Sequence, residues 1–162
     1  MLRKSAAILM LVAFPTAVFA QDAGTTWTKV RYNGGQLQTK VDPKNWNNKL
    51  TVSSDMIRFI TEDGQVLEIK PAEVTGLSYG MEAHRHVAMM VGLGLIITPL
   101  ALFGLFHKQK LHFLGIEYEK DSKKGGLLVQ GANDNYKAIL FQLKSVTGKE
   151  IKTDESEKLE NK

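Results

Sequence analysis

The chain has 162 residues, enough for one domain with an attached anchor, and its 21 basic and 17 acidic residues give a formal net charge of +4. Two of the basic residues lie in a segment that we expect to be removed, so the remaining charge is too evenly balanced to predict nucleic-acid binding. The absence of cysteine excludes disulfides, cysteine nucleophiles, thiolate metal sites and a cysteine-linked lipid anchor.

Residues 1–20 have the three-part layout of a secretory signal peptide. Two basic residues are followed by the apolar run 6–14, and the segment ends with the small residues Val18 and Ala20 in an A-x-A-like cleavage pattern. The apolar run is shorter than the roughly 20 residues of a transmembrane helix, which favours cleavage over an uncleaved anchor. We therefore expect an exported bacterial protein whose mature chain begins at Gln21.

Residues 21–82 predict the first half of a β domain. Residues 27–32 predict a strand, Asn33-Gly34-Gly35 a turn suited to positive φ, and residues 36–39 the returning strand. A polar loop follows, in which Trp46 is a candidate to cover an apolar edge.

The next part of this half contains clear hairpin signals. Asp63-Gly64 predicts a tight turn, and Pro71 ends the strand that follows it because proline cannot donate a hydrogen bond to a ladder. One turn of helix is expected after Pro71. Strands are predicted at residues 50–53, 56–61, 66–69 and 76–79.

Residues 111–148 predict the second half of the domain, with strands at 111–118 and 127–130 and a terminal helix. Asn133 or Asp134 can cap the helix, and Gly148 sits where a glycine would end it. The helix presents one apolar face at helical spacing, formed by Tyr136, Ile139, Leu140, Leu143 and Val146. Residues 149–162 are charged and predict a disordered tail.

Residues 83–110 form a hydrophobic segment with polar flanks. The uncharged run 87–106 would span about 30 Å as a helix, which matches the hydrocarbon core of a bilayer. We therefore expect membrane insertion rather than a buried core helix. The residues expected in lipid include Val87, Met89, Leu93, Leu95, Ile96, Pro99, Leu100, Leu102, Phe103 and Phe106; those expected at the membrane border are His84, Arg85, His86, His107, Lys108 and Lys110.

Two topologies are open for this segment. A continuous span agrees with the lysines that follow the run, but it places the two half-domains on opposite sides of the membrane. A re-entrant hairpin, broken at Pro99 and packed through its glycines, keeps both halves on one side.

The histidines around the run suggest little chemistry. His84, His86 and His107 would meet as a three-histidine metal site if the segment folded back. Histidine, arginine and lysine at the ends of an apolar run are more typical of a border that meets lipid head groups, so we predict no metal and no cofactor. No nucleophile elbow, phosphate-binding glycine loop or zincin motif is present, and we expect no catalytic residues and no enzyme activity.

Two stretches carry a resemblance to a known fold. They are "LTVSSDMIRFITEDGQVLEIKPAEVTGLSYG" and "LHFLGIEYEKDSKKGGLLVQGANDNYKAILFQLKSVTG", which together cover about half of the residues after position 20. Their layout resembles the PH-like or GRAM-like domain of bacterial exported, membrane-associated proteins. The resemblance implies a mainly β fold, a small antiparallel barrel with a C-terminal capping helix, here interrupted by a hydrophobic helical membrane insertion.

These features predict a non-catalytic interaction or scaffold module, attached to the cell membrane on its periplasmic or extracellular face. The expected partners are the lipid bilayer and either another protein or a second copy of the chain, without nucleic acid. An open sheet edge could accept an added peptide strand. The alternatives are a subunit of a membrane protein assembly, or an exported protein that binds a small ligand or a metal.

Overall fold

The computed structural model describes residues 24–80, 83, 87 and 111–153, and these residues form a mainly β structure. A 3-10 turn spans Pro71–Glu73, and an α-helix, α1, spans Tyr136–Thr147. The strands are β1 (Thr25–Trp27), β2 (Val30–Gly35), β3 (Lys49–Val52), β4 (Ile57–Ile60), β5 (Val66–Ile69), β6 (Val74–Tyr79), β7 (His112–Lys120), β8 (Lys123–Gly131) and β9 (Ile151–Lys152).

The strands form two sheets. One is a four-stranded sheet of order β1-β3-β4-β5, and the other is a five-stranded sheet of order β2-β8-β7-β6-β9. All pairings are antiparallel except that of β6 with β9. The sequence predicted a small antiparallel barrel, and this prediction is wrong for the described strands. They form two open sheets, because no ladder joins β5 to the second sheet.

One apolar core joins the two sheets and the helix. It contains Leu50 and Phe59 from the four-stranded sheet, Ile116 and Leu127 from the five-stranded sheet, and Ile139 from α1. All five side chains are fully buried. The predicted apolar face of the helix is confirmed, since Ile139 and Leu143 are buried and Tyr136, Leu140 and Val146 pack against the same core.

Local turn chemistry is also as predicted in the middle of the first half. Asp63-Gly64 connects β4 to β5, and Gly64 has the positive φ of 83° that such a turn requires. Pro71 ends β5 and opens the 3-10 turn before β6. The carboxylate of Asp63 accepts hydrogen bonds from Thr39 Oγ1 and Thr61 Oγ1, so this acidic residue holds the turn and the neighbouring loop.

The start of the β domain differs from the prediction. The strand expected at 27–32 is divided between β1 and β2, which lie in different sheets, and residues 36–39 form no strand. Asn33-Gly34-Gly35 is not a turn but the end of β2, paired with β8. A Cβ at Gly35 would lie 2.6 Å from the carbonyl oxygen of Gly126, so the glycine permits a close strand approach rather than a hairpin.

The ends of the second half also differ. β7 and β8 are connected by the two-residue turn Asp121-Ser122, with φ values of 50° and 61°, so both strands extend beyond the predicted bounds 111–118 and 127–130. Within the tail predicted to be disordered, 149–162, Ile151–Lys152 forms β9 and pairs with β6. Ile151–Lys152 therefore forms a strand by pairing with the edge of β6, although its sequence did not predict one.

The helix begins after Asn135, not after either of the two preceding residues. The Asn135 side chain accepts a hydrogen bond from the Ala132 N–H at 2.8 Å and donates one to the Lys29 carbonyl at 2.8 Å. It therefore ties the start of α1 to the β1–β2 connection instead of capping the helix. The helix ends at Gly148 with a left-handed φ of 66°, as predicted.

The pairing of β6 with β7 constrains the segment between them. Tyr79 is opposite Leu114, and the Gly80 N–H donates to the Phe113 carbonyl at 3.0 Å. The chain therefore leaves β6 and enters β7 at the same end of the sheet.

Candidate functional site

A cleft of about 580 Å³ lies between β5 and the tip of the β7–β8 hairpin. β5 is the last strand of the four-stranded sheet, and it pairs with no described strand of the second sheet. One wall is the edge of β5 and the other is the hairpin tip. The lining residues are Gln36, Val66, Leu67, Glu68, Tyr118, Lys120, Asp121 and Lys123.

The floor of the cleft is built around Tyr118. A Cβ at Gly125, the residue opposite in β8, would lie 2.5 Å from Tyr118 Cζ, so only glycine allows the ring to lie across the strand. The Tyr118 hydroxyl donates to Gln36 Oε1 at 2.5 Å, and Gln36 Nε2 donates to the Lys124 carbonyl at 3.2 Å. This chain of contacts fixes the ring and its hydroxyl in the cleft.

The electrostatics of Tyr118 do not suit acid–base catalysis. Burial, followed by the nearby charge of Glu73, raises the pKa of Tyr118 to about 12. The phenol therefore stays protonated at neutral pH. A general acid or base works best when its pKa is near the ambient pH, and the pKa of Tyr118 is far above it. In this cleft the group acts as a fixed hydrogen-bonding element.

The wall formed by β5 has an open backbone edge. The Thr61 N–H donates to the Gln65 carbonyl at 3.0 Å, and bonded pairs alternate with non-bonded pairs along an antiparallel ladder. Leu67 is therefore bonded to β4, whereas the N–H and C=O groups of Val66 and Glu68 point away from β4. Within the described part of the chain, no strand pairs with this side of β5. Val66 is 50% exposed.

The two walls differ in charge. On β5, Glu68 Oε1 contacts Arg58 Nη2 at 2.7 Å and Arg58 Nε at 2.8 Å, so this carboxylate is neutralised by its cross-strand neighbour. On the hairpin, Lys120 and Lys123 are directly opposite each other. Neither lysine takes part in an ion pair among the described residues.

A second cluster lies at the opposite end of β6 and β7. The Tyr79 hydroxyl and His112 Nδ1 are 2.7 Å apart, and the His112 ring stacks on Tyr136 with the ring centroids 3.5 Å apart. Burial raises the pKa of Tyr79. The cluster connects the start of α1 to the strand ends that flank the apolar run. In the described ranges, no three His, Asp or Glu side chains are placed to hold a metal ion.

The residues predicted to contact the membrane lie almost entirely outside the described residues. Val87 is the exception: it is helical and fully buried, in contact with a cluster formed by Ala83, Phe113 and Leu128. This position packs on protein, because Ala83 and Val87 are one helical turn apart and share the face towards the sheet. The expectation that the inserted run begins here stays a prediction. The remaining nine positions expected in lipid and the six expected at the border are not described.

Across the described residues, no helix combines the length and apolarity needed to cross a membrane.

Comparison with models of known protein families gives no match for this chain, and comparison with curated proteins gives none.

Sequence reasoning missed the cleft. Its two walls are more than 50 residues apart in the chain, and the hairpin tip "EKDSKKGG" looks like an ordinary charged turn. The one local signal was the glycine pair Gly125-Gly126, since glycine inside a strand often marks a close approach by another group. Gly125 marks the position of the Tyr118 ring.

Proposed function

We propose that this protein is a non-catalytic interaction module that binds an extended peptide segment as an added strand on β5. The observation that carries the proposal is the open backbone edge at Val66 and Glu68, beside a cleft of about 580 Å³. In strand addition, main-chain hydrogen bonds supply affinity, and pockets for alternate side chains supply specificity.

The walls of the cleft suit an extended chain better than a compact ligand. The four residues of β5 offer an edge of about 13 Å, at roughly 3.3 Å per residue. An exposed edge with an exposed valine is a liability for aggregation unless a partner or a protective charge covers it. Val66 and Leu67 provide apolar contact, and the fixed hydroxyl of Tyr118 provides a polar one.

We also propose that the module is exported and attached to a membrane through residues 83–110, and that its two sheets and C-terminal helix form a PH-like domain. The layout of residues 1–20 and the length of the uncharged run 87–106 support the first part. The position of α1 over a core shared by both sheets supports the second. The β6–β7 pairing favours a re-entrant segment over a single span.

Peptide binding is tested with a displayed library of short random peptides selected on the full chain. The Val66 N–H points away from β4, so Val66→Pro removes an edge donor without breaking the existing ladder. We expect Val66→Pro to weaken the selected peptides at least tenfold, measured by fluorescence polarisation. Val66→Thr, which keeps the N–H and the β-branched shape, is the matched control and should bind as the original chain does.

Equal binding by the proline and threonine variants would reject strand addition at β5. Failure to select any peptide, both on the full chain and on a chain that ends at Thr153, would reject the proposed function itself. Circular dichroism of each variant confirms that loss of binding is not loss of fold.

Membrane attachment is tested by labelling single cysteines, which are unique because the chain has none of its own. Ser54 and Ser145 are exposed and lie on either side of the apolar run in sequence. In spheroplasts of cells that express the full chain, we expect Ser54→Cys and Ser145→Cys to react equally with a membrane-impermeant maleimide. Labelling of only one would contradict a single folded body, and recovery of the protein without membranes would reject attachment.

A further inference from the structure

The tip of the β7–β8 hairpin places two lysines side by side. Lys120 and Lys123 are the last opposed pair before the turn, and opposed residues project from the same face of a hairpin. Both line the cleft. Like charges directly opposite each other are destabilising, so this pair gains from an anionic neighbour. Asp121 lies between them in sequence, but it is held in the left-handed turn and joins neither lysine in an ion pair among the described contacts.

The facing wall does not supply that anion. The nearest carboxylate on β5 belongs to Glu68, and the two guanidinium nitrogens of Arg58 already contact it at 2.7 Å and 2.8 Å. Both contacts are made to Oε1 of Glu68, and a charge-assisted hydrogen bond of this kind is stronger than one between neutral groups. On one wall of the cleft the carboxylate is thus paired with Arg58, whereas the other wall carries two lysines and Asp121, none of which is ion-paired among the described residues.

We infer that the peptide bound on β5 carries an Asp or Glu side chain that contacts Lys120 and Lys123. This inference rests on the proposed strand addition. A strand added to β5 lies between the two walls, because the cleft separates β5 from the hairpin. Its side chains alternate between the two faces of the sheet, so an acidic residue that faces the lysine pair is flanked by residues that face the other way.

The occupant is a segment of another protein, recognised by backbone pairing and one carboxylate. The lysine contacts are exposed at the rim of the cleft, so they contribute mainly to specificity and to the rate of association. Their contribution should fall as salt is added, since exposed charges are screened over about 10 Å at 0.1 M ionic strength.

The test is a cycle between the protein and the peptide. The selected peptide is compared with its Glu→Gln or Asp→Asn form, on the original full chain and on the double variant Lys120→Gln, Lys123→Gln. We expect the double variant to lose roughly three- to tenfold in affinity for the acidic peptide at low salt, and to bind the amide peptide unchanged. Lys124→Gln is the matched control, because Lys124 neighbours the pair in sequence but projects from the other face of β8.

The outcomes separate this inference from the function on which it rests. Peptides that depend on the Val66 N–H but lack an acidic residue, or that ignore the lysine substitutions, would overturn the inference and leave strand addition intact. Binding by a chain that ends at Thr153, together with none by the full chain, would identify the acidic tail 154–162 as the occupant and would overturn the inference of a separate partner.

Discussion

The two faces of the five-stranded sheet are both buried, but their chemistry differs. The inner face carries Leu114, Ile116 and Leu127, which belong to the large apolar core. The outer face carries Phe113 and Leu128, which belong to a separate four-residue cluster with Ala83 and Val87. Polar side chains are also buried on the outer face, namely Ser78, Glu117 and Gln130.

This difference shows that burial on the outer face does not depend on apolar packing alone. Gly115 is central to it, because a Cβ there would collide with Ser78 Oγ and would lie 3.1 Å from Ala83 Cα. A flat, glycine-containing surface allows another backbone to approach closely. The inner face is therefore a conventional core, whereas the outer face is a docking surface for the chain that leaves β6.

The largest expected effect comes from truncating matched leucines on the two faces. Leu114 and Leu128 are both fully buried, but only Leu114 belongs to the large core. We expect Leu114→Ala to lower the free energy of unfolding by about 2–5 kcal/mol, and Leu128→Ala by about 2 kcal/mol or less, because Leu128 has fewer apolar neighbours among the described residues. Urea unfolding of each variant measures both values. Equal losses would show that the two faces contribute alike and would remove the distinction drawn above.

A smaller effect should follow from filling the outer face. We expect Gly115→Ala to cost about 1–3 kcal/mol of unfolding free energy, because the added methyl displaces Ser78 or the backbone at Ala83. Ser78→Ala should cost little on its own, since its buried hydroxyl has no hydrogen-bond partner among the described residues.

The double variant sharpens this prediction. Removing Ser78 Oγ opens space for the new methyl, so the combined cost should be less than the sum of the single costs. Strict additivity in thermal or urea unfolding would mean that the strain lies at Ala83 instead. No cost for Gly115→Ala would contradict close docking on this face.

The sequence predicted the elements whose signals are local. The β4–β5 turn follows from Asp63-Gly64, the end of β5 from Pro71, and the helix end from Gly148. Each depends on the φ range or the hydrogen-bond capacity of one or two residues, which the residue type itself sets. The apolar face of α1 was predicted because helical spacing places its members on one side.

The sequence did not predict pairing between distant segments. The division of the first strand between two sheets, the pairing of Ile151–Lys152 with β6, and the burial of Val87 all depend on surfaces that form elsewhere in the chain. The cleft is of the same kind, because Val66 and Lys120 come together only after both sheets have formed.

The sequence by itself thus determined where turns and helix ends fall, because backbone conformation at those points is a property of single residues. Only the tertiary structure decided which strands are neighbours and, among the described residues, which edge stays open and which charges have no ion-pair partner. Those outcomes depend on packing between residues far apart in the chain, where many pairings satisfy the same alternating pattern and the shared core selects one of them.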